Sequence, residues 1–292
     1  FLFSLSDKLG GSGLEHHRSS ENGVAANYFK TWDTAFISRD LLAHEYNHSW
    51  NGKYRRPADL WTPDFATPMR DSLLWVYEGQ DQYYGNVLTA RAGLLTKQQA
   101  FDALAIVAAD LEHRVAREWR PLQDTTNDPI IAARRAIPWV SWQRSEDYYR
   151  EGQLIWLDVD TLIRQRSRGR RSLDDFAKAF FGVNDGDWGQ LTYRFEDVVE
   201  TLNKVEPYDW AAFLRKRLDA VGEKAPLDGI ARGGYRLVYG DTPTEIFKSA
   251  ETRNKTTDLT YSVGMVLEDG GRLSRVQWEG PAFKAGLTIG DQ

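Results

Sequence analysis

The segment HEYNH at residues 44–48 constrains this chain more than any other part of its sequence. The surrounding pattern predicts a helix over residues 39–51. With 3.6 residues per turn, a four-residue spacing places His44 and His48 one above the other, so both imidazoles can reach one cation. Glu45 then stands about 100° round the helix, beside the cation rather than on it.

The pattern H-E-x-x-H is typical of zinc peptidases, in which the histidines bind zinc and the glutamate handles the proton of the attacking water. Chance is a weak explanation because the whole chain of 292 residues has 5 histidines. The plainer alternative is two polar residues that happen to share a helix face. His16 and His17 could be extra ligands, but their adjacency points the two rings apart.

A third ligand is expected from an acidic residue on the next helix, since hydrolysis needs a fourth position open to water. Glu78 in LLWVYEGQDQYYG is the candidate, because an unpaired carboxylate would be costly to bury in so apolar a stretch. A surface glutamate is the alternative reading of Glu78, and Asp71 is the rival ligand. Gln82, four residues beyond Glu78, could orient a ligand imidazole.

Composition restricts the chemistry and the class of protein. The chain has no cysteine, which leaves His, Asp and Glu as metal ligands, and its net charge of −5 disfavours nucleic acid as a partner. No apolar run could span a membrane. The basic run at residues 164–172 is interpreted as a solvated loop. Because the chain starts as if inside a strand, we expect an upstream domain or targeting segment. We predict a periplasmic or secreted protein, and a cytoplasmic one stays open.

The pattern along the chain predicts an α+β fold. Residues 1–37 resemble sheet edge and loops, and a second helix is expected from Thr67 to Leu94, with Pro68 in its first turn. The chain from Lys97 to about Ala220 is predicted to be mainly helical, with loops at 121–129 and 181–189. Gly, Thr and Val become frequent after about Pro226, which indicates a linker and then a small β-rich module.

At this point a family resemblance becomes specific. HEYNHSWNGK followed by WVYEG resembles the zinc aminopeptidases called gluzincins. Together with GSGLEHH, DYYREG and GPAFKAGLTIGD, these motifs resemble the glycyl aminopeptidase family, whose members join a thermolysin-like catalytic domain to a PDZ domain. The resemblance implies that His44, His48 and Glu78 bind one Zn²⁺ and that Glu45 is the general base.

The resemblance also implies roles for residues outside the zinc helix. DYYREG is similar to the element that supplies an oxyanion-stabilising tyrosine in related aminopeptidases, which selects Tyr149 over Tyr148. The glutamate that corresponds to Glu15 binds the substrate's free α-amino group in those enzymes. Gly13 belongs to the glycine-rich stretch before Glu15, which lets the backbone approach a ligand closely. Family members usually have two adjacent glycines where this chain has Gly11, Ser12 and Gly13.

These expectations define four regions: a thermolysin-like catalytic subdomain with the zinc site (1–96), a helical subdomain that completes the cleft (97–225), a linker (226–257) and a partial PDZ-like domain (258–292). The chain ends within the last region, so we expect peptide binding by that module to be impaired. The predicted activity is removal of N-terminal glycine or alanine from peptides. The alternatives are a thermolysin-like endopeptidase, a PDZ-mediated binding protein with an inactive zinc domain, and a zinc hydrolase with a non-peptide substrate.

Overall fold

The computed structural model describes residues 1–131 and 138–292, and its described residues mix helices with short strands. The strands are β1 Leu2–Leu5, β2 Ser12–Glu15, β3 Ser20–Val24, β4 Arg55–Pro57, β5 Leu191–Tyr193, β6 Thr256–Asp258, β7 Met265–Glu268 and β8 Leu273–Val276. The helices are α1 Leu41–Asn47, α2 Leu74–Arg91, α3 Lys97–Glu112, α4 Leu122–Thr125, α5 Asp128–Ile131, α6 Val140–Gln143, α7 Arg150–Arg166, α8 Leu173–Phe181, α9 Phe195–Val205, α10 Trp210–Asp219, α11 Asp228–Arg232, α12 Glu245–Asn254 and α13 Pro281–Lys284, with a 3-10 helix at Val115–Glu118. This mixture confirms the predicted α+β class.

Helix α2 lies at the centre of the molecule, between α1 and α7. It is buried along most of its length, and its Trp75 stacks on Trp156 of α7 with ring centroids 5.6 Å apart. Two glycines let these helices approach closely, because a Cβ at Gly79 would lie 2.8 Å from the Cα of Gly152. Helix α2 is therefore packed closely between α7 and the side chains that α1 presents.

A small sheet covers α1 in strand order β1-β3-β2, with β1 parallel and β2 antiparallel to β3. Strand β2 pairs on one side only among the described strands, and it packs against α1. The GSGLE segment is therefore placed across the histidine-bearing helix. A second, two-stranded sheet pairs β4 with β5 in parallel.

Several predicted boundaries were wrong. Helix α1 covers Leu41–Asn47 rather than 39–51, and α2 begins at Leu74 rather than Thr67. Asp64 explains the second difference, because its carboxylate accepts the Ala66 and Thr67 N–H groups at 2.9 and 2.8 Å and holds a turn there.

Other segments are more helical than the sequence indicated. The stretch 121–129, predicted as a loop, contains helix α4 and the start of α5. The region 226–257, predicted as a linker, contains α11 and α12. These last helices pack on α7 and α3, so this region is ordered against the rest of the chain. The basic run at 164–172 begins in the last turn of α7 and is mostly exposed, which confirms its interpretation as a solvated surface. Among the described residues, none of the helices combines the length and apolar character that a membrane crossing needs.

The C-terminal part folds as an antiparallel sheet in the order β6-β7-β8, followed by α13. It rests on the segment that leads to α7. The rings of Trp278 and Trp142 stack with centroids 5.0 Å apart, and the backbone N–H of Trp278 donates to the Ser141 hydroxyl at 3.0 Å. The C-terminal sheet is thus in direct contact with the chain that precedes Tyr149.

Candidate metal centre

The facing surfaces of α1 and α2 bring three metal-binding side chains together. The Nε2 atoms of His44 and His48 lie 3.0 Å apart, and each is 3.3 Å from Oε2 of Glu78. All three residues are buried. In the part of the chain that the structure describes, they form the one cluster of three or more His, Cys, Asp or Glu side chains able to hold a metal ion.

The spacing of these donor atoms fits a small tetrahedral cation. Zinc–nitrogen and zinc–carboxylate bonds of about 2.0–2.1 Å around a tetrahedral ion separate neighbouring ligand atoms by about 3.3 Å. The donor set of two imidazoles and one carboxylate leaves a fourth position for water, as hydrolytic zinc sites require. These residues therefore fit zinc in both chemistry and spacing.

Electrostatics of the cluster favour a bound cation. Burial lowers the pKa of His48, but the carboxylates of Asp81 and Glu78 outweigh this effect and raise it well above the usual value. Burial raises the pKa of Glu78, yet the two histidines more than compensate and hold it far below its usual range. The carboxylates thus attract positive charge into the place where the donor atoms converge, and a divalent ion can replace the protons there.

Asp81 orients one of the histidines, a role that the sequence interpretation assigned to Gln82. The Nδ1 atom of His48 lies 2.6 Å from Oδ2 of Asp81 and 3.0 Å from the Asn51 carbonyl, so its N–H is shared between two acceptors. Gln82 instead donates to Asp40 at 3.0 Å, so that prediction was wrong. Position i+3 from Glu78 on the same helix face, together with its charge, could have identified Asp81.

The rival ligands lie elsewhere. Asp71 precedes α2 and lines a separate cavity of about 790 Å³, together with Arg70, Arg194 and Arg215 among others. His16 pairs with Glu21 at an exposed site, 3.2 Å apart. Neither Asp71 nor the two adjacent histidines His16 and His17 belong to the metal-binding cluster of the described chain.

Glu45 stands beside the cluster and faces strand β2. Its carboxyl is buried, and this burial raises its pKa, while His44 and His48 oppose the rise. The backbone of Gly13 lies directly against this side chain, since a Cβ atom at position 13 would overlap the Glu45 carboxylate and approach Leu41 to 2.9 Å. Glycine at position 13 therefore leaves the space that Glu45 occupies.

Glu15 lies at the end of β2 with two partners that the sequence did not predict. The Tyr77 hydroxyl donates to Oε1 of Glu15, and the Lys53 ammonium lies 3.4 Å from the same oxygen. Burial raises the pKa of Glu15, but His48, Tyr77 and Lys53 together bring it below its usual value. The carboxylate is therefore ionised and already paired with one cation.

A tight turn carries Lys53 to this position. Gly52 has φ +118°, which favours glycine, and a Cβ there would overlap the ring of Tyr77. The ring of Tyr77 in turn lies 4.9 Å from that of His48, measured between centroids. The residues NGK after the second histidine thus link the histidine-bearing helix α1 to Glu15.

The two candidate tyrosines differ in position. The Tyr149 ring lies 6.2 Å from that of His44 and is half-buried. Tyr148 is fully buried in the main hydrophobic core. This geometry favours Tyr149 as the side chain that faces the cluster.

A cavity of about 850 Å³ reaches Glu45 from the side of the β2–β3 turn. Aromatic side chains form much of its wall, including Trp50, Phe181 and Trp188, and the Arg18 guanidinium stacks 3.7 Å above the Trp188 ring. The volume of this cavity lies within the range of ligand-binding pockets, and the cavity opens next to the candidate general base.

The arrangement of the site is typical of metallopeptidases: one helix carries two histidines and a buried glutamate, and the adjacent helix offers an acidic side chain as the third candidate ligand. The profile of the M61 glycyl aminopeptidases matches residues 38–155, from the start of this helix to beyond Tyr149. Over these residues the chain is similar to that family, in agreement with the resemblance of its motifs.

Solved structures give a likeness at the level of the fold. The crystal structure of an aminopeptidase N family protein from Idiomarina loihiensis superposes with a TM-score of 0.72 at 19% sequence identity. The match covers 100% of this chain and 50% of that protein, so this chain spans half the length of its structural relative. No curated protein matched the chain.

Proposed function

We propose that this chain is a zinc-dependent aminopeptidase that removes small N-terminal residues, glycine or alanine, from peptides. The observation that carries this proposal is the buried triangle of His44, His48 and Glu78 donor atoms, with Glu45 beside it. The M61 profile match over residues 38–155 supports the aminopeptidase class and the preference for small residues.

His44, His48 and Glu78 would hold the metal. A zinc ion bound there supplies Lewis acidity toward a peptide carbonyl and toward a water molecule. Glu45 accepts the proton of the attacking water and delivers it to the nitrogen of the leaving amine as the C–N bond breaks. Its burial suits this task, because a raised pKa makes the carboxylate a better proton acceptor and its acid form a usable donor.

Two further side chains would position the substrate. The Tyr149 hydroxyl is proposed to donate to the oxygen that becomes negative when the carbonyl is attacked. Glu15 is proposed to bind the α-ammonium group of the first residue, which fixes the cleavage register at one residue. Because Gly13 has no side chain, the backbone of β2 can lie directly against Glu45, and a peptide could pair with this edge strand.

One observation favours a second candidate, a thermolysin-like endopeptidase. Glu15 is already paired with Lys53 and Tyr77, so the carboxylate has a cationic partner without any substrate. An enzyme that cleaves internally would use the same zinc ligands and would not need Glu15 to take an ammonium group.

The chain divides into a larger N-terminal part and a small C-terminal sheet with one helix. We propose a thermolysin-like catalytic part over residues 1–225 and a partial PDZ-like module over 258–292, with the helices of 226–257 between them. The second assignment is supported by the strand order β6-β7-β8 and by the short helix α13 that follows within the GPAFKAGL segment. A periplasmic or secreted location remains our proposal.

The deciding experiment combines metal analysis with a paired peptide assay. We expect one zinc per chain, and we expect glycyl and alanyl peptides with free N-termini to have kcat/KM at least about 10²-fold above their N-acetylated forms, since acetylation removes the charge that Glu15 would bind. Glu15→Gln should remove most of this preference while the zinc stays. Glu21→Gln, on the neighbouring strand and exposed, is the matched control and should behave as wild type.

The same assay separates the alternatives. Comparable rates on blocked peptides, cleaved internally, would replace the aminopeptidase with the endopeptidase. Peptide binding without turnover in the zinc-loaded protein would favour a binding protein, and hydrolysis restricted to non-peptide substrates would favour the remaining zinc hydrolase reading.

A further inference from the structure

A buried network of ion pairs surrounds the start of α7, where Tyr149 lies. The side chains of Arg144, Asp147 and Glu151 are each 1% exposed. Nε of Arg144 donates to Asp147 at 2.7 Å, and its Nη2 pairs with Glu151. Asp147 and Glu151 stand two residues before and two residues after Tyr149, so Arg144 ties both sides of that residue together.

A second layer of arginines completes the network from the end of α3 and the 3-10 helix that follows it. Arg114 pairs with the other oxygen of Asp147, and Arg117 with the other oxygen of Glu151. Each carboxylate therefore has both oxygens occupied by different guanidinium groups. Arg114 also pairs with Asp110 at 2.7 Å, and the more exposed Arg150 contacts the same carboxylate at 2.6 Å.

The backbone of the same segment is held in an uncommon shape. Arg144 and Glu146 have φ values of +52° and +48°, in the left-handed region that non-glycine residues rarely adopt. Arg144 Nη1 donates to the Arg120 carbonyl at 3.0 Å, and Arg120 Nη1 returns a bond of 3.1 Å to the Arg144 carbonyl. These reciprocal bonds keep the turn closed just before the tyrosine.

Such a network is a poor way to gain stability alone, because removing five or six charges from water offsets most of what their pairing returns. What guanidinium–carboxylate pairs do provide is direction, since the planar fork fixes distance and angle at both partners. A catalytic hydroxyl needs that kind of placement, because a displacement of about 1 Å can cost roughly 10²-fold in rate.

We propose that Arg144, Asp147 and Glu151 are positioning residues for the Tyr149 hydroxyl, with Arg114 and Arg117 as their buried supports. This inference rests on the proposed role of Tyr149 and adds the residues that would make it effective. The ion pairs of these five residues in the described chain join them to one another and to Asp110, whereas His44, His48 and Glu78 form a separate cluster, and we infer that the network acts on the reaction through Tyr149.

A double-mutant cycle tests this link. Arg144→Met should lower kcat about 30-fold on a glycyl peptide and change KM less than about threefold, with zinc content and fold retained. In a Tyr149→Phe background the same substitution should cost less than about threefold, because the group that it positions is already absent. Arg144→Lys, which keeps the charge but loses the fork, should give an intermediate loss.

Arg164→Met is the matched control, since Arg164 pairs with Asp160 at 2.8 Å near the other end of the same helix and should change kcat less than about twofold. Equal losses for Arg144→Met with and without the Tyr149 hydroxyl would overturn the proposal and leave the network a purely structural role. If Arg144→Met does not fold, Arg117→Lys takes its place in the cycle.

A readout without catalysis separates this inference from the proposed function. With tyrosine labelled by ¹³C at the ζ carbon and Tyr149 assigned through Tyr149→Phe, Arg144→Lys should shift or broaden the Tyr149 signal, whereas Arg164→Met should leave it in place. An unchanged Tyr149 signal would refute positioning even in a protein that hydrolyses peptides. A changed signal in a protein that hydrolyses none would support positioning and refute the aminopeptidase.

Discussion

Asp81→Asn is the substitution whose effect follows most directly from the geometry of the metal centre. Asp81 is 0% exposed, and its two carboxylate oxygens have different hydrogen-bond partners. Oδ2 faces Nδ1 of His48 at 2.6 Å, while Oδ1 accepts the side-chain amides of Asn51, at 2.7 Å, and Asn47. Asparagine has a single acceptor oxygen, so its own amide nitrogen must face either the imidazole N–H or these two amide donors.

The cost can be worked from these contacts. A buried donor left without an acceptor costs about 1–3 kcal/mol, and partners of metal-binding histidines typically contribute 10–100-fold to metal affinity. The Asn51 carbonyl, 3.0 Å from Nδ1 of His48, remains as a second acceptor and limits the loss. We therefore expect zinc affinity to fall about 10- to 30-fold, or about 1.4–2 kcal/mol.

Zinc affinity should be measured by competition with a chromophoric chelator at fixed pH, with circular dichroism to confirm that the apo-protein is folded. Gln82→Ala is the control, because the Gln82 side-chain amide donates to Asp40 at 3.0 Å rather than to an imidazole. Unchanged zinc affinity in Asp81→Asn, or an equal fall in Gln82→Ala, would refute the argument that Asp81 orients His48.

Two other substitutions address the chemistry beside the metal. Glu45→Gln should keep the zinc and the fold but lower kcat at least about 10²-fold, because it removes the group that transfers the proton. Steady-state kinetics and metal analysis measure both effects. Near-normal turnover would assign the proton transfer to another group. Gly13→Ala should keep zinc and lower kcat about 10²-fold, because the added methyl group displaces the Glu45 carboxylate. Gly240→Ala is the control, because a methyl group added at position 240 would have no neighbouring atom within 4 Å. Equal kcat values for these two alanine variants would show that the contact between Gly13 and Glu45 does not affect catalysis.

The sequence was informative wherever local periodicity determines geometry. A four-residue spacing on a helix must place His44 and His48 on one face, and Glu78 could be selected because a carboxylate in an aromatic stretch needs a charged partner. The structure brings these three together with Glu45 beside them. The α+β class followed from the same kind of pattern.

Contacts between distant segments were not accessible in this way. Lys53 meets Glu15 only because Gly52 turns the chain and Tyr77 fills the space between, and nothing in the local pattern of either segment indicates the other. The buried arginines of the α7 network look like surface residues of amphipathic helices when they are considered one at a time. The start of α2 was predicted too early because the side chain of Asp64 stabilises a turn that competes with the helix.

Charge balance in the cleft bears on the choice between aminopeptidase and endopeptidase. Four carboxylates lie on or around the metal centre: Glu78 among the ligands, Asp81 behind His48, Glu45 facing β2 and Glu15 at its end. With neutral imidazoles, a divalent zinc ion and the Lys53 ammonium would bring three positive charges against these four negative ones. A buried excess charge is costly, and one further cation would remove it. The α-ammonium group of a free N-terminus supplies that cation, whereas an acetylated or internal peptide does not. In our proposal the Lys53–Glu15 pair therefore does not exclude the substrate's ammonium group, because these four carboxylates together with zinc and Lys53 leave one negative charge for that group to neutralise.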